Sequence, residues 1–325
     1  MNFPRRHFLH LAAGAALLPE VMQIAWAQAY PARPVRIIVG FAPGGPADVH
    51  ARVLGQWLLD RLGQPFVIEN RLGAGSNIAA EAVVHAPADG YTLLLITNSH
   101  ALNASLYQKP NFNFIRDIAP IAGIDREPFV MLVHPSVPAN TVPEFIAYAK
   151  ANGSKLNFAS AGNGSVGHVS GELFKMMAGV NLLHVPYRGG APALADLIAG
   201  RVQVSFLPTA GTIEHVTSGT LRALAVTTTT RSEALPDVPT VGDFLAGYES
   251  SVWFGIGAPR STPADIVHTL NKEINVALAD PRLKARLADF GGTAIPGSST
   301  DFGKLIADET EKWAKVIKFA GIKPE

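Results

Sequence analysis

Hydrophobic and polar positions after residue 30 alternate between two periods along the chain. Short apolar or β-branched runs at 35–39, 65–69 and 91–96 predict strands, and helical spacing of apolar positions at 49–62 and 77–85 predicts helices. The strands are largely apolar rather than strictly alternating, which is typical of strands buried on both faces. This first series therefore predicts a mostly parallel sheet covered by helices.

A second series of the same kind starts at residue 129. Its predicted strands lie at 129–133, 156–159, 182–185, 202–207, 221–227 and 252–258. Its predicted helices lie at 142–151, 168–177, 192–199, 263–279, 281–290 and 300–319. Two series of roughly 100 residues each match two domains of ordinary size. We therefore expect an α/β fold with two domains, with the C-terminal helices packed on one of them.

The N-terminus has the features of a targeting segment. The arginine pair Arg5-Arg6 precedes an apolar run at 11–18, and small-residue cleavage sites end at Ala27 and Ala29. The run is well short of the roughly 20 residues needed to span a bilayer, which disfavours a membrane helix. We therefore expect residues 1–29 to be a signal peptide cleaved after Ala27 or Ala29, and the paired arginines favour the twin-arginine type.

Composition and charge exclude several classes of partner and chemistry. The chain has 325 residues, is 48% hydrophobic and contains no Cys, so disulfide scaffolds, zinc ribbons and thiol catalysis are excluded. Lys and Arg number 27 and Asp and Glu 26; removing the signal segment takes two Arg and one Glu and leaves 25 of each. No basic field is available for nucleic acid, and we expect no nucleic-acid partner.

A glycine-rich segment at 41–48 joins the first predicted strand to the first predicted helix. Gly44 and Gly45 let the backbone approach a ligand closely, and the helix that follows offers unpaired N–H groups and the positive end of its dipole. We therefore expect an anion to contact this segment, with Phe41 and Ala42 beside it. Asp48 is either part of that contact or a first-turn residue that satisfies the same N–H groups.

A second segment of this kind lies at 159–168. Ser160, Gly162, Gly164 and Ser165 again stand between a predicted strand and a predicted helix, so a second anion-binding loop is expected. Its glycines match G-x-G-x-x-G, but the acidic residue that would bind the ribose of a dinucleotide is missing from the segment at 183–187. We therefore expect a small anion at this loop, and no cofactor.

A catalytic role for the same segment is less well supported than anion binding. Ser165 and His168 could form a nucleophile and its base, but Asn163 replaces the first glycine of a G-x-S-x-G nucleophile elbow. His168 can equally orient or cap the loop, and we also expect it among the ligand-binding residues. The histidines of the chain are scattered and no H-E-x-x-H motif is present, so we expect no metal site.

One polar segment follows the third predicted strand. It reads Thr97-Asn98-Ser99-His100, where ligands bind in sheets of this type, although Ser and Asn also serve ordinary turns. Ligand contact through Ser99 and a simple turn are equally compatible with this pattern.

These motifs, taken in order, resemble the Bug family, the extracytoplasmic solute receptors of tripartite tricarboxylate transporters. The matching segments are Phe41-Ala42-Pro43-Gly44-Gly45 with Asp48 and Arg52, Glu69-Asn70-Arg71 with Gly73-Ala74-Gly75, Asp89-Gly90-Tyr91-Thr92-Leu93, Tyr148-Ala149-Lys150, Gly164-Ser165 with His168, Gly171-Glu172-Leu173-Phe174, His184-Val185-Pro186-Tyr187-Arg188-Gly189, Leu235-Pro236-Asp237-Val238-Pro239-Thr240 and Thr262-Pro263. One departure is Ser76-Asn77-Ile78-Ala79, where the family usually has further glycines. The resemblance covers essentially all of the chain after the signal segment.

The resemblance implies a type II periplasmic-binding-protein fold, in which two α/β domains are joined by two crossing strands with the ligand cleft between them. Residues 30–128 plus 229–325 would form the first domain and 129–228 the second. A carboxylate would be held by the loops at 41–48 and 160–165, through backbone N–H groups and waters more than by an arginine. Tyr187 lies in a family motif beside this site and is expected to contact the ligand.

The expected function is that of a non-enzymatic periplasmic receptor. It would capture a small organic carboxylate by domain closure and present it to the membrane permease of a tripartite tricarboxylate transporter, acting as a monomer. The alternative is an exported hydrolase or a cofactor-dependent periplasmic enzyme. The pattern does not distinguish which carboxylate is bound.

Overall fold

The computed structural model describes residues 30–106 and 111–323, so the predicted signal peptide at 1–29 lies outside the described residues. The strands are β1 (Val35–Val39), β2 (Phe66–Asn70), β3 (Thr92–Thr97), β4 (Ile118–Val133), β5 (Asn157–Ser160), β6 (Leu183–Pro186), β7 (Val204–Pro208), β8 (Arg222–Val226), β9 (Ser251–Pro259) and β10 (Thr293–Ala294). The helices are α1 (Pro46–Leu62), α2 (Asn77–Val84), α3 (Asn98–Leu106), α4 (Phe114–Asp117), α5 (Val142–Asn152), α6 (Val166–Ala178), α7 (Gly190–Ile198), α8 (Ile213–Thr217), α9 (Ala264–Ala279), α10 (Pro281–Asp289) and α11 (Ser299–Ala320).

The strands form one continuous sheet with the order β2-β1-β3-β9-β4-β7-β5-β6, and β8 and β10 also pair with β4. Strands β1, β2 and β3 are parallel to one another, and so are β5, β6 and β7. Strands β9 and β4 run antiparallel to their neighbours between these two groups. The predicted parallel strands are confirmed, and the antiparallel strands in the middle connect the two groups.

Strand β4 is 16 residues long and belongs to both groups. Its residues 118–128 pair with β9, 129–133 pair with β7, and 130–133 also pair with β8. The sequence pattern predicts only 129–133, because prolines, glycines and charged residues interrupt the apolar run before it. The pairing with β9 accommodates them with register shifts at Pro120/Ala122 and Gly123/Asp125.

The chain passes between the two groups a second time after β8. Thr227 follows this strand, and its backbone carbonyl accepts a hydrogen bond of 2.9 Å from the N–H of Ser250, which precedes β9. Thr227 also lies beside Phe129 of β4, where its N–H donates to the Phe129 carbonyl at 2.9 Å. The two connections therefore run side by side.

Separate hydrophobic cores lie on the two groups of strands. One core contains β1 and β3 residues such as Ile37 and Leu93, and the other contains Phe158 and Phe206 of β5 and β7. Leu235 and Tyr248, which follow residue 228, and Trp313 of α11 pack with the second group. The predicted boundaries, at 128/129 and 228/229, remain a prediction, and the C-terminal helix contributes to the second core.

Strand register places two loops at the junction of the groups. In the first group β3 is antiparallel to β9, and β9 pairs its first residue, Ser251, with Pro128, so β1 and β3 end at the edge where β4 reaches Pro128. In the second group β7 ends at Pro208, which pairs with Phe129, and β5 is parallel to β7. The carboxyl ends of both parallel groups therefore approach the same junction from opposite sides.

Candidate functional site: two glycine-rich loops at the junction

The first loop connects β1 to α1 and presents an uncapped helix start. Gly44 has φ +80°, a conformation that favours glycine, and its residue is exposed. Gly45 is the N-cap of α1 without a side-chain cap, and Pro46 occupies the first turn and carries no N–H. The first N–H groups of α1 that can donate therefore belong to Ala47 and Asp48.

Asp48 holds this loop in shape. Its Oδ2 accepts hydrogen bonds from the N–H of Gly44 at 2.9 Å and from Nε of Arg52 at 2.8 Å. Its Oδ1 accepts from Arg52 Nη2 at 3.0 Å and from Asn70 Nδ2 at 2.9 Å. The Arg52 hydrogen bond is the main reason that the pKa of Asp48 falls to about 2. Both oxygens of this buried carboxylate accept hydrogen bonds within the chain, and a ligand contact by Asp48 stays a prediction.

Asn70, at the end of β2, is a supporting residue that the sequence analysis did not single out. Its Nδ2 donates to the carbonyl of Phe41 at 2.9 Å as well as to Asp48. Phe41 packs against the core of the first group, and Ala42 is exposed. The motif Glu69-Asn70-Arg71 was the available signal, since it ends the neighbouring strand at the same edge of the sheet.

The second loop connects β5 to α6 and contains two glycines with positive φ. Gly162 has φ +132° and Gly164 has φ +71°. The buried hydroxyl of Ser160 accepts from the N–H of Gly162 at 3.2 Å and lies 2.7 Å from Nε2 of His184. The loop therefore needs its glycines to turn, and Ser160 holds its first residues.

Ser165 is the N-cap of α6. Its Oγ accepts a hydrogen bond of 3.3 Å from the backbone N–H of His168, which confirms a helix beginning at this loop. The side chain of His168 folds back as well, and its Nδ1 accepts from the N–H of Gly164 at 3.0 Å. Because a backbone N–H can only donate, Nδ1 carries the lone pair and the proton of the neutral ring is on Nε2.

His168 stacks on His184 with ring centroids 3.7 Å apart and planes 7° apart. Burial, and then the nearby His184 and Lys175, lower the pKa of His168 to about 3, and burial lowers that of His184 to about 4. Both rings are therefore neutral near pH 7 and supply no positive charge to a ligand.

Both Ser–His pairs of this loop are engaged within it or buried. The Ser165 hydroxyl serves the helix start and the Nδ1 of His168 serves Gly164. Ser160 is close to His184, but its residue has 0% exposure, so a substrate carbonyl cannot reach it. The arrangement supports positioning of the loop rather than hydrolysis.

Tyr187 supports the second loop through its backbone. Its N–H donates to the carbonyl of Ser160 at 3.0 Å, and its hydroxyl donates to Oδ2 of Asp196 at 2.7 Å. Burial and this carboxylate raise the pKa of Tyr187 to about 12. The hydroxyl is engaged with α7, and a ligand contact by Tyr187 stays a prediction.

Ser99 lies in the first turn of α3 and not in a turn between other elements. The sequence analysis expected no helix here, since short polar residues stand at its start. The N–H of Ser99 donates to Oγ1 of Thr97 at 3.2 Å, and its side chain is partly buried. Helix α3 thus begins directly after β3, beside the first loop, and adds a third helix start at the junction.

A cavity of about 630 Å³ adjoins the second loop on the side of α6 and α11. Asn163, His168, Lys175 and His184 are among its lining residues, together with 320–323. Nζ of Lys175 lies 2.8 Å from Oε1 of Glu172, so its charge is balanced within the cavity wall. No residue of the first loop lines this cavity, so it is distinct from the candidate site between the two loops.

Three residues that the sequence analysis did not connect lie together below the first loop. His50, Asp125 and Glu127 each place one ligand atom within 4.8 Å of the others. The histidine is far from the carboxylates in sequence, so no spacing rule indicated this cluster. The expectation of no metal site rested on spacing along the chain, and this group forms only when α1 packs against β4.

Among the residues described, no helix combines the length and the apolar composition needed to cross a membrane.

Comparison with known proteins identifies a family that this chain matches over most of its length. Residues 50–322 match the profile of a family described as "Tripartite tricarboxylate transporter family receptor". Protein BugT of Bordetella pertussis (strain Tohama I) is 37% identical over 300 residues, covering 91% of this chain and 92% of that protein.

Two solved structures are similar over most of the chain. "R. palustris Rpa4515 with adipate" has 38% identity and a TM-score of 0.77, and covers 91% of this chain and 100% of that one. "MatC (Rpa3494) from Rhodopseudomonas palustris with bound malate" has 32% identity and a TM-score of 0.73, and covers 89% and 100%. These matches confirm the predicted type II periplasmic-binding-protein fold. With its paired loops at the junction of two α/β groups, the chain belongs to the receptor family of tripartite tricarboxylate transporters and has a solute-binding role.

Proposed function

We propose that the protein is a periplasmic receptor that captures a small organic carboxylate between the loops at 41–48 and 160–165. The observation that carries this proposal is the position of the loops. Each follows a parallel strand, precedes a helix start, and meets the junction of β4 from its own side. A ligand that touches both loops would bridge the two groups of strands.

The attraction for an anion would come from the backbone. The carboxylate of Asp48 is paired with Arg52, and the rings of His168 and His184 are neutral, so these side chains contribute no net positive charge. Free N–H groups and the positive ends of α1 and α6 remain at the loops, and such helix starts bind carboxylates readily. Ordered waters would complete the contacts.

Closure would follow from this arrangement. In an open form the carboxylate contacts one loop, and only a closed form supplies both sets of N–H groups, so the ligand shifts the population toward the closed state. The two side-by-side connections at Phe129 and Thr227 would act as the hinge. A membrane permease would then recognise the closed form.

Aliphatic dicarboxylates are the first ligands to test. Adipate and malate appear in two similar structures, and a second carboxylate would give each loop its own anionic group. The N-terminal segment supports export to the periplasm, with twin-arginine features at Arg5-Arg6. We propose a monomeric, non-enzymatic receptor in that compartment.

The test uses the processed protein purified from the periplasm of expressing cells, and its N-terminal sequence reports the cleavage site. Thermal-shift and calorimetric titrations with adipate and malate are expected to show saturable stabilisation. Adipamide, the uncharged diamide of adipate, is the matched control and is expected to produce no shift. Scattering with the bound dicarboxylate is expected to show a smaller radius of gyration.

Two results would contradict the proposal. Equal stabilisation by the acid and the diamide would show that the loops do not recognise an anion. Conversion of the dicarboxylate to a product in the same sample would favour the alternative of an exported enzyme.

A further inference from the structure

A buried cluster below the first loop consists of His50 on α1 and Asp125 and Glu127 on β4. Nε2 of His50 lies 3.0 Å from Oδ2 of Asp125 and 3.4 Å from Oε1 of Glu127. The three residues are 2%, 0% and 7% exposed. The three side chains therefore interact inside the protein and not at its solvated surface.

Local geometry explains why these side chains converge. Asp125 and Glu127 are two positions apart on a strand, so they point to the same face, and Arg126 between them points away to Glu249 at 3.3 Å. His50 lies one turn into α1. The Phe254 ring stacks on its imidazole, with centroids 4.2 Å and planes 14° apart, which holds the ring in the plane that faces β4.

The tautomer of His50 is set by the backbone. Its Nδ1 lies 2.7 Å from the carbonyl of Pro46, and a carbonyl can only accept, so Nδ1 carries a proton. In the neutral ring the lone pair of Nε2 then points at two carboxylates. A backbone carbonyl bonded to the other ring nitrogen is also the usual support of a metal-binding histidine.

The cluster has more acceptors than donors. Among the described residues, no hydrogen-bond partner is found for Oδ1 of Asp125 or Oε1 of Glu127. A proton on Nε2 can satisfy one carboxylate only and leaves a buried negative charge on the other, which is costly. A divalent cation would balance both carboxylates around a neutral imidazole.

We propose that His50, Asp125 and Glu127 bind a divalent transition-metal ion, with Zn²⁺ as the preferred occupant. In a tetrahedral site, metal–ligand bonds of about 2.0–2.2 Å separate neighbouring ligand atoms by about 3.3–3.6 Å. The 3.4 Å distance from Nε2 to Oε1 of Glu127 matches this range, and the 3.0 Å distance to Oδ2 of Asp125 would lengthen slightly when the ion binds. One imidazole and two carboxylates suit Zn²⁺ better than Mg²⁺, which prefers oxygen ligands alone.

The position of the cluster suggests what the ion would do. It would link α1, which carries the first ligand-binding loop, to the last residues of β4 before Pro128 at the junction. The turn at Gly291-Gly292 covers the cluster, and a Cβ on Gly292 would lie 2.2 Å from Oδ2 of Asp125. A cavity of about 140 Å³ lies beside Arg126, Pro128 and this turn.

Calorimetry of the whole processed protein after treatment with a chelator tests the site. Zn²⁺ is expected to bind at one ion per chain, more tightly than Mn²⁺, and Mg²⁺ is expected not to compete. His50→Gln and Glu127→Gln are each expected to weaken Zn²⁺ binding by about tenfold or more. His268→Gln, at an exposed histidine of α9, is the matched control and is expected to leave Zn²⁺ affinity unchanged.

A second measurement avoids reliance on variants that fail to fold. Co²⁺ bound to the unmodified protein is expected to show the absorption bands of a nitrogen- and oxygen-ligated site, and an anomalous map is expected to place the ion among these three residues. Absence of Zn²⁺ binding, an ion located elsewhere, or affinity that survives both substitutions would overturn the proposal. Dicarboxylate titrations in the presence of the chelator measure ligand binding without a metal ion. They therefore test the receptor function independently of the proposed metal site.

Discussion

Phe129 and Thr227 exchange hydrogen bonds where the two connections between the strand groups meet. The N–H of Phe129 donates to Oγ1 of Thr227 at 3.0 Å, and the N–H of Thr227 donates to the carbonyl of Phe129 at 2.9 Å. Thr227 has 0% exposure. The pair therefore joins β4 to the segment after β8 in a water-free environment, at the point about which the proposed closure would occur.

Thr227→Val is expected to destabilise the protein by about 1–3 kcal/mol. Valine has a similar shape but leaves the buried N–H of Phe129 without an acceptor. Urea unfolding measures the free energy of unfolding of the variant. Thr227→Ser keeps the hydroxyl and is expected to lose less than the valine variant. A serine variant as unstable as the valine variant would show that packing of the methyl group, and not the hydrogen bond, matters here.

Gly162→Ala is expected to weaken binding of adipate, or of whichever dicarboxylate stabilises the wild-type protein most. Its φ of +132° is strained for alanine, and the new Cβ would lie 3.2 Å from the carbonyl of Tyr187. Strain of about 1–3 kcal/mol would displace the loop, and about 1.4 kcal/mol corresponds to a tenfold loss of affinity.

Gly190→Ala is the matched glycine control for this substitution. It lies in the first turn of α7, where no atom stands within 4 Å of the new Cβ. Calorimetry is expected to give wild-type affinity for Gly190→Ala. Equal affinities of the two alanine variants would contradict a role of the second loop in binding.

Ser165→Ala and Thr141→Ala remove two helix N-caps of the same kind. Oγ of Ser165 accepts from His168 N–H at 3.3 Å, and Oγ1 of Thr141 accepts from Glu144 N–H at 3.3 Å. Each change is expected to cost about 0.5–2 kcal/mol of stability, measured by urea unfolding. Only the change at Ser165, beside the proposed ligand, is expected to lower dicarboxylate affinity, and loss of affinity in both variants would indicate a general effect of stability.

The stacked pair of His168 and His184 predicts an acid-sensitive fold. Their pKa values are lowered to about 3 and about 4, whereas an unfolded histidine titrates near 6.5. Between pH 6.5 and about 4 the unfolded chain therefore binds protons that the folded chain does not, and the free energy of unfolding falls as the pH falls. Each histidine contributes up to about 1.4 kcal/mol per pH unit in this window.

Urea unfolding of His184→Gln across this pH range checks the prediction. The variant is expected to show a shallower loss of stability than the wild-type protein, because one of the two low-pKa groups is gone. His268→Gln, which removes an exposed histidine, is expected to keep the wild-type slope. Parallel curves for the wild-type protein and His184→Gln would contradict the assignment.

Most helices and strands could be predicted because their patterns are local. The helix predicted at 142–151 is α5 (Val142–Asn152), which begins at the Thr141 cap. Helix α3 (Asn98–Leu106) was missed because Asn98 and Ser99 have the composition of a turn. The first part of β4 was missed because its strand conformation depends on pairing with β9, more than 100 residues later in the chain.

The sequence by itself determined that glycine-rich segments stand between strand and helix at 41–48 and 159–168, because turns and helix starts depend on neighbouring residues. The tertiary structure decided how the side chains in and around them are used. Asp48 of α1 accepts a hydrogen bond from Asn70 of β2, and His168 stacks on His184. The convergence of His50 with two carboxylates of β4 likewise depends on packing α1 against the sheet. Such contacts join residues distant in sequence, and only the folded chain brings their atoms within hydrogen-bond or metal-ligand distance.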